Sequence, residues 1–139
     1  MYTHEDLARY MLSQRVIGAA IEVHRLLGPG LLESVYQECL CHEITLRSIS
    51  FQRQQAVPLR YKELVVNEGL RLDLLAENEL IIELKVVDQT LKVHEAQLLT
   101  YLRLSGLQRG LLLNFNVPVL KEGIKRLVNK YTVQDHSAS

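Results

Sequence analysis

The stretch RLDLLAENELIIELK, from Arg71 to Lys85, decides how this chain folds. Outside the short polar segment at residues 77–79, even-numbered positions in and beside it are apolar, whereas acidic and basic side chains stand at odd positions. Because successive side chains of a strand point to opposite faces, the pattern predicts a β-hairpin with one buried face. The eight residues of that face are Leu70, Leu72, Leu74, Ala76, Leu80, Ile82, Leu84 and Val86.

The apolar face also predicts how the two strands pair. Even positions must face even positions, so the loop has an odd length and is most simply residues 77–79. Asp73 then lies opposite Glu83, and Arg71 lies opposite Lys85. Like charges directly opposite each other destabilise a sheet. A bound cation, protonation of one carboxylate, ion pairing with the two basic residues or plain solvent exposure would each relieve this repulsion.

The segments around the hairpin predict a mixed α and β domain. One helix begins near Thr3 with a capping box and ends at the Gly28-Pro29-Gly30 turn, and a second covers about residues 31–47. The segment from Phe51 contains Pro58, which indicates an edge or bulged strand. A third helix and an apolar strand follow the hairpin, and the last segment is either helix or strand. The order ααβββαβ predicts an α/β (α+β) fold, with residues 1–130 as one domain and 131–139 as a flexible tail.

Composition excludes several classes of function. The 16 Lys and Arg residues balance the 16 Asp and Glu residues, so no global positive charge indicates nucleic-acid binding. The basic segment from Lys121 to Lys130 is better interpreted as a solvated face than as a binding patch. No apolar run is long enough for a membrane span and no signal peptide is evident, which predicts a cytoplasmic protein. Cys39 and Cys41 are expected to be free, buried or half-buried thiols.

Two further sets of polar residues are candidates for a site. Glu33 follows Gly30 by three residues, so it is either the third residue of a helix capped by Gly30 or a carboxylate on a core-directed face that needs a partner. His94, Gln97 and Tyr101 share one face of the later helix. Taken alone, this polar strip is an exposed helix surface.

Together these residues resemble the PD-(D/E)XK nuclease superfamily, and within it the GxxExxY family. The GxxExxY motif stands at Gly30–Tyr36. The acid followed by (D/E)xK stands at Asp73 and at Glu83-Leu84-Lys85, and a QxxxY element stands at Gln97–Tyr101. Four elements in the same order form a specific signal, and the resemblance covers roughly Val16 to Val128.

The resemblance implies a restriction-endonuclease-like fold, a central mixed sheet flanked by helices. It also implies a metal-dependent nuclease that hydrolyses phosphodiester bonds of DNA, with RNA less favoured, using Mg²⁺ or Mn²⁺. The expected metal ligands are Asp73, Glu83, the Leu84 carbonyl and Glu33, because hard oxygen donors suit these cations. The expected catalytic residues are Glu33, Asp73, Glu83, Lys85, Gln97 and Tyr101.

Other interpretations remain open from the sequence. A nuclease-fold module without activity, which binds a protein partner or nucleic acid, would keep the same motifs. An unrelated α+β protein with a surface charge cluster is the third interpretation. No membrane partner is expected, and the exposed edge near Pro58 leaves a homodimer open.

Overall fold

The computed structural model describes residues 3–130 of the chain. The first half contains α1 (His4–Leu27), α2 (Glu33–Leu46), β1 (Phe51–Tyr61), β2 (Leu64–Ala76) and β3 (Leu80–Lys85). The second half contains α3 (Lys92–Ser105), β4 (Arg109–Asn114), a 3-10 helix (Leu120–Gly123) and β5 (Ile124–Val128). The predicted fold class and element order are confirmed, and the last segment is a strand. The predicted tail at 131–139 lies outside the described residues.

One mixed sheet holds all five strands in the order β1-β2-β3-β4-β5. β3 and β4 are parallel, with α3 as the connection between them, and the other pairs are antiparallel. β1 lies at an edge, and its register with β2 shifts between Val57 and Leu59. The edge position and irregularity predicted from Pro58 are therefore confirmed, because proline lacks the amide that a regular ladder needs.

Helices cover both faces of the sheet. α1 and α2 bury Val16, Ala20, Tyr36, Leu40 and Ile44 against a first cluster that includes Leu74, Ile82, Leu84 and Phe115. On the other face, Leu98 and Leu102 of α3 pack against a second cluster that includes Leu72, Leu75, Ile81 and Leu112. The edge of the sheet where β3 and β4 end lies between these two layers.

The hairpin register is the predicted one. Ala76 pairs with Leu80 and Leu74 pairs with Ile82. The loop is three residues long, and Glu77 and Asn78 in it have φ of 51° and 57°. The Glu79 amide closes the turn by donating to the Ala76 carbonyl at 2.9 Å.

The single apolar face predicted for β2 is partly wrong. Leu74 packs beneath α1 and α2, but Leu72 packs beneath α3 with the second cluster. The side-chain alternation of β2 therefore breaks at Asp73. On the neighbouring strand Gln54 has φ of 48°, between the partners of Leu72 and Leu74. A residue in the left-handed region disrupts the regular pleat, which explains the change of face.

Several smaller predictions can be compared with the structure. The Thr3 capping box is present, with the Asp6 amide donating to Thr3 Oγ1 at 3.0 Å. Cys39 is half-buried and Cys41 is buried, and both are free thiols. Within residues 3–130 no helix is long and apolar enough to cross a membrane.

Candidate active site

The candidate site lies where β2 and β3 diverge. The backbone ladder between them runs from Ala76 and Leu80 only as far as Leu74 and Ile82. Beyond that point, two carboxylates replace backbone partners. Asp73 Oδ2 accepts from the Leu84 amide at 2.9 Å, and Glu83 Oε1 accepts from the Asp73 amide at 3.1 Å.

This exchange explains why a hairpin carries acids inside its strands. Each carboxylate satisfies an amide that the diverging strands leave without a carbonyl partner. The same exchange brings the two acids together, as the register predicted. The predicted pairing of Arg71 with Lys85 does not form, because the ladder has already ended. Arg71 instead binds Glu68 at 2.7 Å.

The surroundings of the pair favour the protonated form of Glu83. Glu83 is only 5% exposed. Burial raises the pKa of Glu83 to about 9, with the charge of Asp73 as the next cause. The Asp73 amide and the Lys85 ammonium oppose this shift only in part. Protonation, one of the ways of relieving the repulsion considered above, therefore fits the chain without a metal.

Lys85 lies at the end of β3, two residues after Glu83. It is half-buried, and its carbonyl accepts from the Phe115 amide at 2.9 Å. Within the described residues Lys85 forms no ion pair shorter than 4.0 Å. A simple ion-pair cluster with Arg71 is therefore not the arrangement found, and the ammonium is not held by either carboxylate.

Glu33 approaches the site from α2. It is the first residue of that helix, and the N-cap is Leu32, not Gly30. The residue is exposed, so the alternative that it lies on a core-directed face is wrong, as is the alternative of a cap at Gly30. Desolvation and then the charge of Asp73 raise the pKa of Glu33, while Lys85 lowers it. Solvent weakens these effects at an exposed carboxyl, but they place Glu33 within electrostatic range of both residues.

Gln97 and Tyr101 lie on α3. The Gln97 amide donates to Tyr101 Oη at 3.2 Å, and the ring of Tyr101 packs against the second cluster. Both residues line a shallow groove on the helix surface together with His94. Among the described residues, they have no hydrogen bond to either carboxylate or to Lys85. The structure therefore joins Asp73 and Glu83 directly, brings Glu33 and Lys85 near them, and leaves the α3 pair as a separate polar group.

Two buried polar residues at the site were missed in the sequence. Gln37 donates to the Asp73 carbonyl at 3.4 Å. Asn114, at the end of β4, accepts from the Val87 amide at 3.1 Å and donates to the Val87 carbonyl at 2.8 Å. Asn114 is 2% exposed and fixes the chain just after Lys85. Its only signal in the sequence is a polar residue that ends the apolar run LLL.

The donor set suits a cation that keeps most of its water. Asp73 and Glu83 each accept a hydrogen bond from a backbone amide through one carboxylate oxygen. A proton on Glu83 relieves the repulsion between the two carboxylates, and a bound cation could take the place of that proton. No three His, Cys, Asp or Glu side chains within residues 3–130 come together as a complete metal-ligand group. Two carboxylates fit Mg²⁺, which is commonly bound through one or two carboxylates and several waters.

Comparison with known families agrees with this geometry. A family model described as the PD-(D/E)XK nuclease superfamily matches residues 10–127. The chain belongs to the PD-(D/E)XK nuclease superfamily. The match begins within α1 and ends within β5, and it includes Asp73 and the Glu83-Leu84-Lys85 element. Searches of curated proteins and of solved structures found no match.

Proposed function

We propose that this member of the superfamily is a metal-dependent nuclease that hydrolyses phosphodiester bonds in DNA. The observation that carries the proposal is the pair Asp73 and Glu83 at the strand divergence, with Lys85 nearby and unpaired with either acid. Two adjacent carboxylates destabilise a fold unless one of them is protonated or a counterion lies between them. A cation bound beside a scissile phosphate would supply that counterion.

Asp73 and Glu83 are the proposed direct ligands of Mg²⁺ or Mn²⁺. The Leu84 carbonyl is the proposed third protein oxygen, and Glu33, which is exposed at the start of α2, is proposed to act through water. When bound, the cation would neutralise charge on the phosphate and make a water molecule more acidic. Ligand distances of about 2.0–2.1 Å are expected for Mg²⁺.

Lys85 has a distinct proposed role. Its ammonium shares the strand face of Glu83 and is not neutralised by an ion pair. It is therefore suited to orient the attacking water or to stabilise negative charge on the phosphate. Gln97 and Tyr101, which bind each other on α3, are proposed to contact the nucleotide next to the cleaved bond. The neutral net charge of the chain fits contacts limited to this site.

The finer details of the biological setting remain predictions. DNA is favoured over RNA by the family resemblance alone. A cytoplasmic location and a homodimer through the edge near Pro58 are proposed from the sequence alone. These predictions do not affect the chemistry of the site.

A cleavage assay with linear, circular and branched DNA tests the proposal. Each substrate is incubated with Mg²⁺, Mn²⁺ or a chelator, and wild type is compared with Lys85→Ala. Removing one electrostatic stabiliser of the transition state is expected to lower cleavage by about 10²–10³-fold. Lys125→Ala is the matched control, because this exposed lysine on β5 removes the same charge away from the site.

Two outcomes would contradict the proposal. Equal cleavage by wild type and Lys85→Ala would indicate a contaminating nuclease or a different site. Equal losses in Lys85→Ala and Lys125→Ala would indicate that only the total charge matters. The pattern of products from linear and circular DNA also separates cleavage at ends from internal cleavage.

One observation favours a second candidate function, a nuclease-fold module that binds nucleic acid or a protein without cutting. Only two of the three predicted carboxylate ligands are brought together directly, and residues 3–130 contain no complete metal-ligand group. Titration calorimetry with Mn²⁺ distinguishes the candidates. Heat of binding that disappears in Asp73→Ala supports the enzyme, whereas no heat in either protein supports the binding module.

A further inference from the structure

The turn between α1 and α2 holds Glu33 in place, although its helix lacks the usual cap. Gly28 and Gly30 have φ of 70° and 98°, in the region that favours glycine. Leu32 is the N-cap, and no side chain caps the first amides of α2. The position of Glu33 at the start of this helix therefore depends on some other contact.

That contact is the hydroxyl of Tyr36. Tyr36 Oη donates to the Gly28 carbonyl at 2.5 Å and accepts from the Leu31 amide at 3.2 Å. One hydroxyl thus ties together both sides of the turn that precedes Glu33. Because Tyr36 lies three residues after Glu33, one helical turn separates the anchor from the carboxylate.

The ring of Tyr36 connects this turn to the strand that borders the site. The ring is fully buried and stacks on Phe115, with centroids 4.6 Å apart and planes inclined by 19°. Phe115 in turn donates its amide to the Lys85 carbonyl at 2.9 Å. A short chain of contacts therefore runs from Lys85 through Phe115 and Tyr36 to the turn before Glu33.

The first part of the turn has its own anchors. The Gly28 amide donates to the His24 carbonyl at 2.7 Å, and His24 Nε2 lies 2.7 Å from the Val117 carbonyl. Loss of the Tyr36 hydroxyl would leave these contacts in place. The expected effect is therefore local, on Leu31 and the residues that lead into Glu33.

We propose that Tyr36 is a positioning residue whose hydroxyl fixes the Gly28–Leu31 turn and thereby sets the position of the Glu33 carboxylate at the start of α2. This role rests on the proposed nuclease function for its catalytic consequence. It also gives a physical reason for the spacing of glycine, glutamate and tyrosine in GxxExxY. Gly30 permits the backbone conformation of the Gly28–Leu31 turn. Tyr36, which lies in the first turn of α2 three residues after Glu33, fixes that connection through its hydroxyl.

The substitution Tyr36→Phe removes only the hydroxyl and leaves the stacked ring. Cleavage is measured for wild type, Tyr36→Phe, Glu33→Gln and the double variant at saturating Mg²⁺. Misplacement of Glu33 is expected to lower kcat by about ten- to a hundredfold, because small displacements at a reacting centre have effects of this size. In the Glu33→Gln background the same change is expected to lower kcat by less than about twofold.

Tyr10→Phe is the matched control, because it removes a hydroxyl from an exposed tyrosine on α1. It is expected to leave cleavage unchanged. If Tyr36→Phe lowers cleavage equally in both backgrounds, or not at all, the positioning role is wrong. An equal loss in both would mean that the hydroxyl serves general stability, since removing Glu33 would not remove the effect.

A second measurement does not depend on activity. Amide hydrogen exchange at Leu31 and the NMR signal of the Glu33 carboxyl carbon are compared between wild type and Tyr36→Phe. Faster exchange and a shifted carboxyl signal support the role, and unchanged values overturn it. If wild type shows no metal-dependent cleavage, the proposed function fails, and these two signals alone decide the role of Tyr36.

Discussion

The buried carboxyl of Glu83 should make the stability of the metal-free protein fall as the pH rises. Its pKa is raised from 4.5 to about 9 by burial and by Asp73. Between these values the folded state holds a proton that the unfolded state releases. The free energy of unfolding therefore falls as the pH rises through this range, by an amount on the order of 3 kcal/mol between pH 6 and pH 8.

Glu83→Gln should remove this dependence. A neutral amide has nearly the shape of the protonated acid, so its oxygen can accept from the Asp73 amide and its nitrogen can donate to the Asp73 carboxylate. In wild type the stabilising contribution of the proton is complete below pH 4.5 and lost by about pH 9. The glutamine side chain does not ionise, so its contribution does not change with pH. The variant should gain stability relative to wild type with each step in pH.

Urea unfolding at pH 6, 7 and 8 with a chelator measures the effect. Any other group that changes its charge in this range is present in both proteins and cancels in the difference. Glu38→Gln is the control. The hydrogen bond and charge of Arg53 lower the pKa of Glu38, so its contribution changes only as the pH falls through that lowered value. Parallel pH profiles for wild type and Glu83→Gln would refute the shared-proton account of the site.

Two further changes test the packing around the site. A Cβ on Gly123 would lie 2.1 Å from the Asn114 carbonyl oxygen, so Gly123→Ala should lower the free energy of unfolding by about 1–3 kcal/mol or more in urea titrations. Gly18→Ala is its control, since the nearest atom there is the movable end of Arg47 at 3.2 Å, and alanine in α1 should be neutral or stabilise by up to about 1 kcal/mol. Similar stability of the two alanine variants would contradict the close approach at Gly123. Asn114→Ala leaves the half-buried Val87 amide and carbonyl without their side-chain partner. Thermal melting should show a loss of about 2–3 kcal/mol, and an unchanged melting temperature would mean that water replaces the side chain fully.

The motifs of the site could be predicted because they depend on local spacing. The parity of apolar residues in the hairpin required an odd loop, and that register brought Asp73 to Glu83. A parity argument assumes a regular strand, however. It could not predict that Leu72 changes face, because the cause is the left-handed Gln54 on another strand. Nor could it predict that the ladder stops before Arg71 reaches Lys85.

Residues that act through distant partners were harder to predict. Asn114 and Gln37 are separated from Val87 and Asp73 by many residues, and their roles depend on hydrogen bonds that only the folded chain forms. Glu33 was predicted from its motif, but its exposure was not. The residues that share a helical face do not show which part of that face the rest of the fold covers.

The sequence alone determined the order of elements as far as β4 and the pairing register of the hairpin, since both follow from the period of the chain and from turn chemistry. The family resemblance singled out the acids and the lysine. The tertiary structure decided what those residues become. Strands that diverge leave two amides without carbonyls, and the acids accept from them at a place where burial raises the pKa of Glu83. Helix α2 begins at Glu33, and Tyr36 in its first turn stacks on Phe115, just after β4. Electrostatics of this kind depends on burial and distance, which no local pattern of residues contains.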